Sequence, residues 1–280
     1  MPFFGGQMSH VSEDCPLPEI IRRRLPGSLF ARDVCYFPLI ASTNAYAKEL
    51  AQQGGAEGSL VIAEKQTKGQ GRAGRQWHSP SYKNLLFSII FRPPFSIDRV
   101  FSLTMLTALS LVDAIDNMTG LKTLIKWPND VYLKDKKMAG ILTEFSAHEK
   151  MVEYAIVGAG LNVNWDIGGK SGLNHLATSL AKEIGRPVSR VDLLVEILGL
   201  LERYYRLLLK GQDSLIYKRW NELSMVVGKE VLVDSSNDRK KARVKRINKN
   251  GALVIKDENG KEASIVCGDL TVLFPSLPGT

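Results

Sequence analysis

Residues 69–77 (GQGRAGRQW) combine three kinds of side chain that together could bind an anionic, ring-bearing small molecule. The glycines remove side chains at short intervals, so a ligand can approach the N–H groups of the main chain. Arg72 and Arg75 add planar, permanently charged groups suited to a carboxylate or a phosphate. Trp77 offers a flat face on which a heterocycle can stack. The alternative is a flexible basic loop with no ligand, and the flanking sequence argues against it.

Several common catalytic motifs are incomplete in this sequence. Residues 168–171 (GGKS) match the end of a Walker A loop, but Asn164 stands where its leading glycine belongs. Residues 158–163 begin a dinucleotide-binding fingerprint, yet Val163 occupies the position of its third glycine. The four histidines lack metal-ligand spacing, and no serine lies in a Gly-x-Ser-x-Gly motif. We therefore expect neither zinc chemistry nor a serine nucleophile.

The composition is typical of a globular protein with one sizeable domain and a small one. The chain has 280 residues, of which 44% are hydrophobic and 24% are charged. Its net charge of +8 permits a nucleic-acid partner, but equally an anionic nucleotide or an acidic protein. No apolar run approaches the roughly 20 residues of a membrane helix, and no secretory signal is evident. Because the three cysteines are far apart, we expect a cytoplasmic protein without disulfides or a membrane partner.

Strands and helices must position the loop, and the apolar patterns predict where they lie. Short apolar runs predict strands at residues 35–38, 59–64, 84–91, 123–126, 131–133, 138–145 and 152–164. Helical spacing predicts helices over residues 45–51, 100–118 and 177–220. The last four strands are separated by short turns, which favours antiparallel pairing because a parallel crossover needs about a dozen residues. We predict an α+β fold, with a mixed, largely antiparallel sheet and flanking helices.

Three regions follow from these patterns. Residues 1–34 form an N-terminal lead with one short helix, which is too little for a helix-turn-helix module. Residues 35–224 form the main domain, and residues 225–280 form a small C-terminal β-barrel with Asn-Gly hairpin turns. Basic residues are concentrated in the barrel. They are either a solvated strand face or a surface that docks an acidic protein.

Six stretches stand in a characteristic order along the chain. They are residues 42–44 (STN), Gln66, residues 69–77, residues 126–130 (KWPND), residues 137–140 (KMAG) and residues 158–162 (GAGLN). In this order they resemble the biotin protein ligase family, which activates biotin with ATP and attaches it to a lysine of a carrier protein. The loop matches the family signature Gly-x-Gly-Arg-x-Gly-Arg-x-Trp, and the KWPND block is equally diagnostic. The resemblance covers about residues 35–275 and implies that residues 35–224 are a catalytic, biotin- and ATP-binding domain with the biotin/lipoate ligase fold.

The resemblance also implies a role for each matching residue. The catalytic pair is Arg72 and Lys137, whose charges would meet the biotin carboxylate and the α-phosphate of ATP. The implied biotin-binding residues are Ser42, Thr43, Asn44, Gln66, Gln70, Gly71, Arg72, Lys137, Gly140, Gly158 and Gly160. The implied nucleotide-binding residues are Arg75, Trp77, Lys126, Asn129, Asp130 and Asn162. Asp130 is also the candidate for the Mg²⁺ that accompanies ATP, and its alternative role is a structural ion pair with Lys126.

One departure and two alternatives accompany this interpretation. Gln70 stands where an arginine is common in the family, so we expect weaker retention of the adenylate or a compensating cation elsewhere.

The resemblance includes no N-terminal DNA-binding domain, which implies a monofunctional ligase with no DNA partner. The implied partners are a biotin carboxyl carrier protein and, as one option, a second copy in a homodimer. The alternatives are a lipoate ligase and a basic nucleic-acid-binding protein; the polar residues 42–44 and Gln66 favour a ureido ring over the dithiolane of lipoate.

Overall fold

The computed structural model describes residues 14–167, 176–235, 238–266 and 269–272. Its helices are α1 (Pro18–Arg24), α2 (Thr43–Gln52), α3 (Phe101–Thr119), α4 (Leu180–Ile184), α5 (Arg190–Leu209) and α6 (Ser214–Leu223). The strands of the larger sheet are β1 (Val34–Phe37), β2 (Leu60–Ala63), β3 (Leu85–Phe91), β4 (Leu124–Lys126), β5 (Asp130–Leu133), β6 (Lys136–His148) and β7 (Met151–Leu161). The C-terminal strands are β8 (Glu230–Ser235), β9 (Asp238–Ile247), β10 (Leu253–Lys256), β11 (Glu262–Ile265) and β12 (Asp269–Val272). Residues 1–13 of the predicted lead and the Walker-like residues 168–171 lie outside the described residues.

The larger sheet has seven strands in the order β1-β2-β3-β7-β6-β5-β4. Only β1 and β2 pair in parallel, and the five other neighbouring pairs are antiparallel. The predicted α+β fold with a mixed, largely antiparallel sheet is therefore confirmed. The register of β6 and β7 sets Gly140 opposite Gly160 and Leu142 opposite Gly158, which brings glycines together on two central strands.

Helices cover both faces of this sheet. α2 packs on β2, β3 and β7, whereas α3 packs on β4 to β7 and is covered in turn by α5 and α6. The segment Ile97–Thr119, which contains α3, is long and apolar enough to cross a membrane by length and composition alone. However, 78% of its apolar window is buried inside the protein, so it is the core-facing helix that the sequence predicts.

The predicted helix over residues 177–220 is divided into three helices, α4 to α6. α4 ends at Gly185, which adopts a left-handed conformation with a φ of 76°. Pro187 follows, and it cannot continue a helix because it lacks an N–H donor. A second left-handed glycine, Gly211, separates α5 from α6. The helical prediction was therefore right in type and wrong in continuity.

The C-terminal strands form a five-stranded antiparallel sheet in the order β11-β10-β9-β8-β12. Both predicted Asn-Gly turns are present, with left-handed glycines at Gly251 and Gly260. Within the described residues, no hydrogen-bonded pair joins the two outer strands of this sheet. We therefore call it the C-terminal sheet rather than a closed barrel.

The turn at Gly251 connects the C-terminal sheet to the rest of the protein through a hydrogen bond and a packing contact. The indole Nε1 of the buried Trp127 donates a hydrogen bond to the carbonyl of Gly251 over 2.8 Å. A Cβ atom at Gly251 would lie 2.1 Å from the ring of Phe101, so the turn packs directly on the start of α3. Trp127 belongs to the KWPND block, and the C-terminal sheet therefore supports that block from behind.

Candidate functional site

A cleft of about 720 Å³ opens over the central strands of the larger sheet. Every residue that the sequence predicted for substrate contact lines it. The loop of residues 69–77 forms one wall, and the turn between β4 and β5 forms another. The fold thus brings together six stretches that are distant in sequence.

Glycines form the floor of the cleft. A Cβ atom at Gly160 would lie 2.5 Å from Cε2 of the Trp77 indole, and one at Gly140 would lie 3.0 Å from its Cζ3. At Gly158 the added atom would lie 1.9 Å from Oδ1 of Asn44. The side chains of Trp77 and Asn44 therefore pack directly against the backbone of these glycines. A side chain at any of the three glycines would displace Trp77 or Asn44.

The glycine loop is an ordered hairpin rather than an open cradle. Gln70 and Gln76 pair as an antiparallel bridge, and the N–H of Gly71 donates to the carbonyl of Arg75 over 2.7 Å. Ala73 forms the tip with a φ of 54°, a left-handed conformation that is uncommon for alanine. We expected the loop N–H groups to face a ligand, but that of Gly71 is already used within the hairpin.

Arg72 and Lys137, the two cations predicted to be catalytic, both line the cleft. Nζ of Lys137 lies 2.7 Å from Oδ1 of Asp130 and 5.5 Å from the ring centroid of Trp77. Arg72 is half-buried, and no ion pair or hydrogen bond holds its guanidinium within the part of the chain that the structure describes. The two groups could therefore approach a shared anion.

The ion pair between Lys126 and Asp130, considered as an alternative above, is not formed. These two residues are opposed across the β4–β5 ladder, but the Asp130 carboxylate pairs with Lys137 instead. The ammonium of Lys126 lies over the ring of Tyr132, 5.2 Å from its centroid. Burial, assisted by the charge of Asp130, raises the pKa of Tyr132 to about 12, so this phenol stays neutral at physiological pH.

The polar end of the cleft is held by hydrogen bonds among buried groups. The backbone N–H of Thr43 donates to Oε1 of Gln66 over 2.7 Å, and Nδ2 of Asn44 donates to Oε2 of Glu144 over 2.9 Å. The hydroxyl of Ser88 contacts both Thr43 and Asn44. Ser42 caps α2 by accepting from the N–H of Ala45 over 3.4 Å, as its residue type alone predicts.

Asn129 and Asn162, which the sequence predicts to bind the nucleotide, also form hydrogen bonds within the protein. Asn129 donates from Nδ2 to the carbonyl of Ile141 over 2.6 Å. Asn162 donates to the carbonyl of Thr178 over 3.1 Å and accepts from Nδ2 of Asn84 over 3.2 Å. Both residues line the cleft while fixing the segments that border it.

Sequence reasoning missed several residues of this site. Ser88 and Glu144 bond the predicted residues from behind, and Tyr132, Trp165 and Leu176 line the cleft directly. Ser88 carried a usable signal, because it is a lone polar residue within the apolar strand β3. Among the described residues, no three His, Cys, Asp or Glu side chains cluster as ligands for a metal ion.

Comparison with known proteins places this cleft in a family. Residues 36–162 match the sequence model of the Biotin/lipoate A/B protein ligase family. The chain is 33% identical over 241 residues to the bifunctional ligase/repressor BirA of Bacillus subtilis strain 168, a match that covers 86% of this chain and 74% of that protein. The chain belongs to the biotin/lipoate A/B protein ligase family.

A second relative and a solved structure are also similar to this chain. The chain is 30% identical over 226 residues to the biotin–[acetyl-CoA-carboxylase] ligase of Paracoccus denitrificans, which covers 79% of this chain and 93% of that one. Its fold matches the biotin protein ligase from Aquifex aeolicus in complex with biotin and ATP, with a TM-score of 0.73 and 24% identity over 86% of this chain and 99% of that one. In this ligase-family chain, the matched residues 36–162 include the loop, the β4–β5 turn and the glycine-bearing strands β6 and β7.

Proposed function

We propose that this chain is an ATP-dependent biotin–protein ligase. It forms biotinyl-5′-AMP from biotin and ATP and then transfers biotin to a lysine of a biotin carboxyl carrier protein. One observation carries the proposal: a single cleft joins a buried polar end at Thr43 and Gln66 to a cationic centre at Arg72 and Lys137. A molecule with a polar ring, an apolar chain and a carboxylate fits that sequence of environments.

Biotin would lie along the glycine floor with its ureido ring at the polar end. Thr43 and Gln66 offer hydroxyl and amide groups that can both donate and accept there. Gly158 and Gly160 leave room for the ring system, because a Cβ atom at either would collide with Asn44 or Trp77. The carboxylate would then point towards Arg72 and Lys137.

In the first step the biotin carboxylate attacks the α-phosphorus of ATP, and pyrophosphate leaves. Two anions must meet, so their repulsion is the main obstacle. Arg72 and Lys137 would reduce it by bonding the carboxylate and the α-phosphate as they approach. Asp130, which holds the Lys137 ammonium at 2.7 Å, would keep that charge directed into the cleft.

The remaining predicted residues would border the nucleotide. Arg75, Lys126 and Asn129 also line the cleft. Asp130, the acidic residue that lines this cleft, would hold the Mg²⁺ that accompanies ATP, and the ion would offset the negative charge of the phosphates. Trp77 contacts the glycine floor, so its ring would meet the biotin chain as well as the adenine.

In the second step a lysine amine of the carrier attacks the carbonyl carbon of the mixed anhydride, and AMP leaves. The amine loses a proton and an amide bond forms, so no nucleophile from the ligase is required. Lys241, Arg243 and Lys245 are exposed on β9 of the C-terminal sheet and are candidates for docking an acidic carrier domain. Glu230 lies 3.3 Å from Lys241 and offsets part of this positive charge.

The test is biotin-dependent exchange of labelled pyrophosphate into ATP. We expect exchange with biotin and none with lipoate, because the dithiolane ring cannot satisfy the polar groups around Thr43 and Gln66. Exchange with lipoate alone would identify the lipoate ligase alternative. Absence of exchange with both acids in a folded sample would contradict the adenylation chemistry itself.

Three properties of the whole protein complete the proposal. We propose a cytoplasmic location, which is supported by Cys15 and Cys35 forming no disulfide. We also propose that the chain does not bind DNA; steeply salt-dependent DNA binding would contradict this. A homodimer is compatible with the ligase function, and sedimentation of the ligand-free and adenylate-bound protein tests it.

A further inference from the structure

Asn84 lies immediately before β3, where the segment that follows the glycine loop meets the end of β7. The residue is 1% exposed and does not line the cleft. Its Nδ2 donates to Oγ of Ser79 over 3.1 Å and to Oδ1 of Asn162 over 3.2 Å. Its Oδ1 accepts from the N–H of Val163 over 3.0 Å. One buried amide therefore joins the segment after the loop to the end of β7.

The N–H of Val163 fixes the orientation of the Asn84 amide. Val163 is 0% exposed, so its N–H needs an acceptor within the protein, and Oδ1 of Asn84 is that acceptor. A flipped amide would place two N–H donors against each other. Nδ2 therefore faces Ser79 and Asn162, and each of its two protons has one of these oxygens as its acceptor.

The bond to Ser79 holds the segment that leaves the glycine loop. Ser79 follows Trp77 by two residues, so its position limits where the end of the loop can lie. The loop is closed at its base, because the N–H of Trp77 donates to the carbonyl of Gly69 over 3.0 Å. A shift of Ser79 would therefore move the closed loop together with Arg72, which lies near its tip.

The bond to Asn162 leads to Lys137. Asn162 donates from its own Nδ2 to the carbonyl of Thr178 over 3.1 Å. The N–H of Thr178 donates to the carbonyl of Lys137 over 2.9 Å, and the N–H of Lys137 donates to the carbonyl of Leu176 over 3.0 Å. The segment of residues 176–178 thus holds the backbone of Lys137 at both its N–H and its carbonyl. Asn84 is bonded to this segment through Asn162.

We propose that Asn84 is a positioning residue that fixes the location of Arg72 relative to Lys137. Arg72 lies on the glycine loop and Lys137 lies on β6, so their spacing depends on how the loop is seated against the larger sheet. Asn84 is bonded to both sides of that junction and yet does not line the cleft. The inference rests on the proposed function, since it requires both cations to meet the carboxylate and the α-phosphate in one step.

The first measurement separates chemistry from binding in the full-length protein. Asn84→Ala is expected to lower the single-turnover rate of biotinyl-5′-AMP formation, at saturating biotin and ATP, by about ten- to a hundredfold, because the reacting groups are no longer held in line. The dissociation constant of biotin, measured by calorimetry without ATP, should change by less than about threefold, since Thr43 and Gln66 are untouched. An unchanged rate in Asn84→Ala would overturn the inference.

Ser79→Ala tests the link to the loop by itself and keeps the inference testable if Asn84→Ala does not fold. Ser79 is half-buried, and its loss leaves the bond between Asn84 and Asn162 in place. We expect the single-turnover rate to fall by about three- to tenfold. Ser81→Ala is the matched control, because Ser81 is also half-buried and its hydroxyl has no hydrogen-bond partner among the described residues. Equal rates in the two variants would contradict the inference.

A double-mutant cycle of each variant with Lys137→Ala separates positioning from a general loss of packing. If Asn84 acts on the spacing of the two cations, Asn84→Ala and Ser79→Ala slow adenylate formation much less in Lys137→Ala than in the unchanged protein. If the losses are additive in free energy, Asn84 does not act through Lys137 and the inference is wrong. Failure of the unchanged protein to form the adenylate would overturn the proposed function, whereas normal adenylate formation with additive losses overturns only the role of Asn84.

Discussion

At the scale of single residues, the site depends on the charge of the Lys137 side chain and on the absence of a Cβ atom at Gly160. Lys137 shares its ammonium between the carboxylate of Asp130 and the face of Trp77. Trp77 in turn lies on Gly160, where no Cβ atom intervenes. Each of these contacts can be removed by one substitution while the fold around it is left in place.

Removing the Lys137 cation should slow adenylation. A charge-assisted contact is worth about 1.5–3 kcal/mol, so Lys137→Ala is expected to lower the rate of pyrophosphate exchange by about ten- to a hundredfold or more. Lys136→Ala, on the neighbouring position of β6 and outside the cleft, is the control and should exchange normally. Exchange at the normal rate in Lys137→Ala would remove this residue from the mechanism.

Filling the glycine floor should block the substrate without unfolding the protein. In Gly160→Ala the new methyl group would lie about 2.5 Å from the Trp77 indole, so the ring must shift into the cleft. We expect biotin binding to weaken by about tenfold or more. In the control, Gly199→Ala, the added methyl meets nothing within 4 Å on an exposed turn of α5, and biotin binding should not change. Equal affinities in the two variants would contradict the proposed pocket.

At the scale of elements, the turn Asn248–Gly251 joins the C-terminal sheet to α3 and the KWPND block. Gly251 has a φ of 82° and its hypothetical Cβ lies 2.1 Å from Phe101, so substitution adds backbone strain and a steric clash. Trp127 donates to the carbonyl of the same residue, and a shift of the turn would therefore move the β4–β5 wall of the cleft. The turn itself does not line the cleft, but its hydrogen bond to Trp127 links it to a residue that does.

Gly251→Ala is expected to lower the free energy of unfolding by about 2–4 kcal/mol, from strain plus overpacking. Gly260→Ala is the matched control, because its φ is 83° but its nearest neighbour is the flexible end of Lys256 at 3.4 Å. It should lose only about 1 kcal/mol, the cost of the left-handed backbone. Urea unfolding of both variants measures the difference. Equal losses would show that the Phe101 contact contributes nothing.

The elements were largely predictable because local patterns encode them, whereas the contacts between them were not. The apolar spacing of α3 and the Asn-Gly turns of the C-terminal sheet are local signals, and both are confirmed. The partner of Asp130 depends on the register of β5 on β6, which no local pattern specifies. Ser88 reaches residues 44 and 45 positions away in sequence, so its role appears only once the sheet is formed.

At the scale of the whole molecule, buried tyrosines link stability to pH. Burial, together with the nearby carboxylate of Asp113, raises the pKa of Tyr204 to about 12. Burial also raises the pKa of Tyr36 and of Tyr205 far above the usual value, with Glu64 and Glu57 as their acidic neighbours. These phenols remain protonated in the folded protein when they would already ionise in the unfolded chain.

The contribution of these tyrosines to the free energy of unfolding should therefore be constant up to about pH 9 and fall as the pH rises above about 10, because the unfolded state then releases protons that the folded state retains. Urea titrations from about pH 8 to about pH 11 measure this slope. Tyr205→Phe should make it shallower, whereas Tyr82→Phe, at an exposed position, serves as the control. A free energy of unfolding that does not change between about pH 8 and about pH 11 would contradict the raised pKa values of these tyrosines.

The central claim is that the cleft of this ligase-family protein makes and holds biotinyl-5′-AMP. The most direct measurement is native mass spectrometry of the full chain mixed with biotin and ATP but without a carrier protein. We predict a complex heavier than the free protein by the mass of biotinyl-5′-AMP, which is absent when either substrate is omitted and is depleted in Lys137→Ala. A folded protein that binds biotin and ATP side by side, with no adenylate formed, would contradict the account.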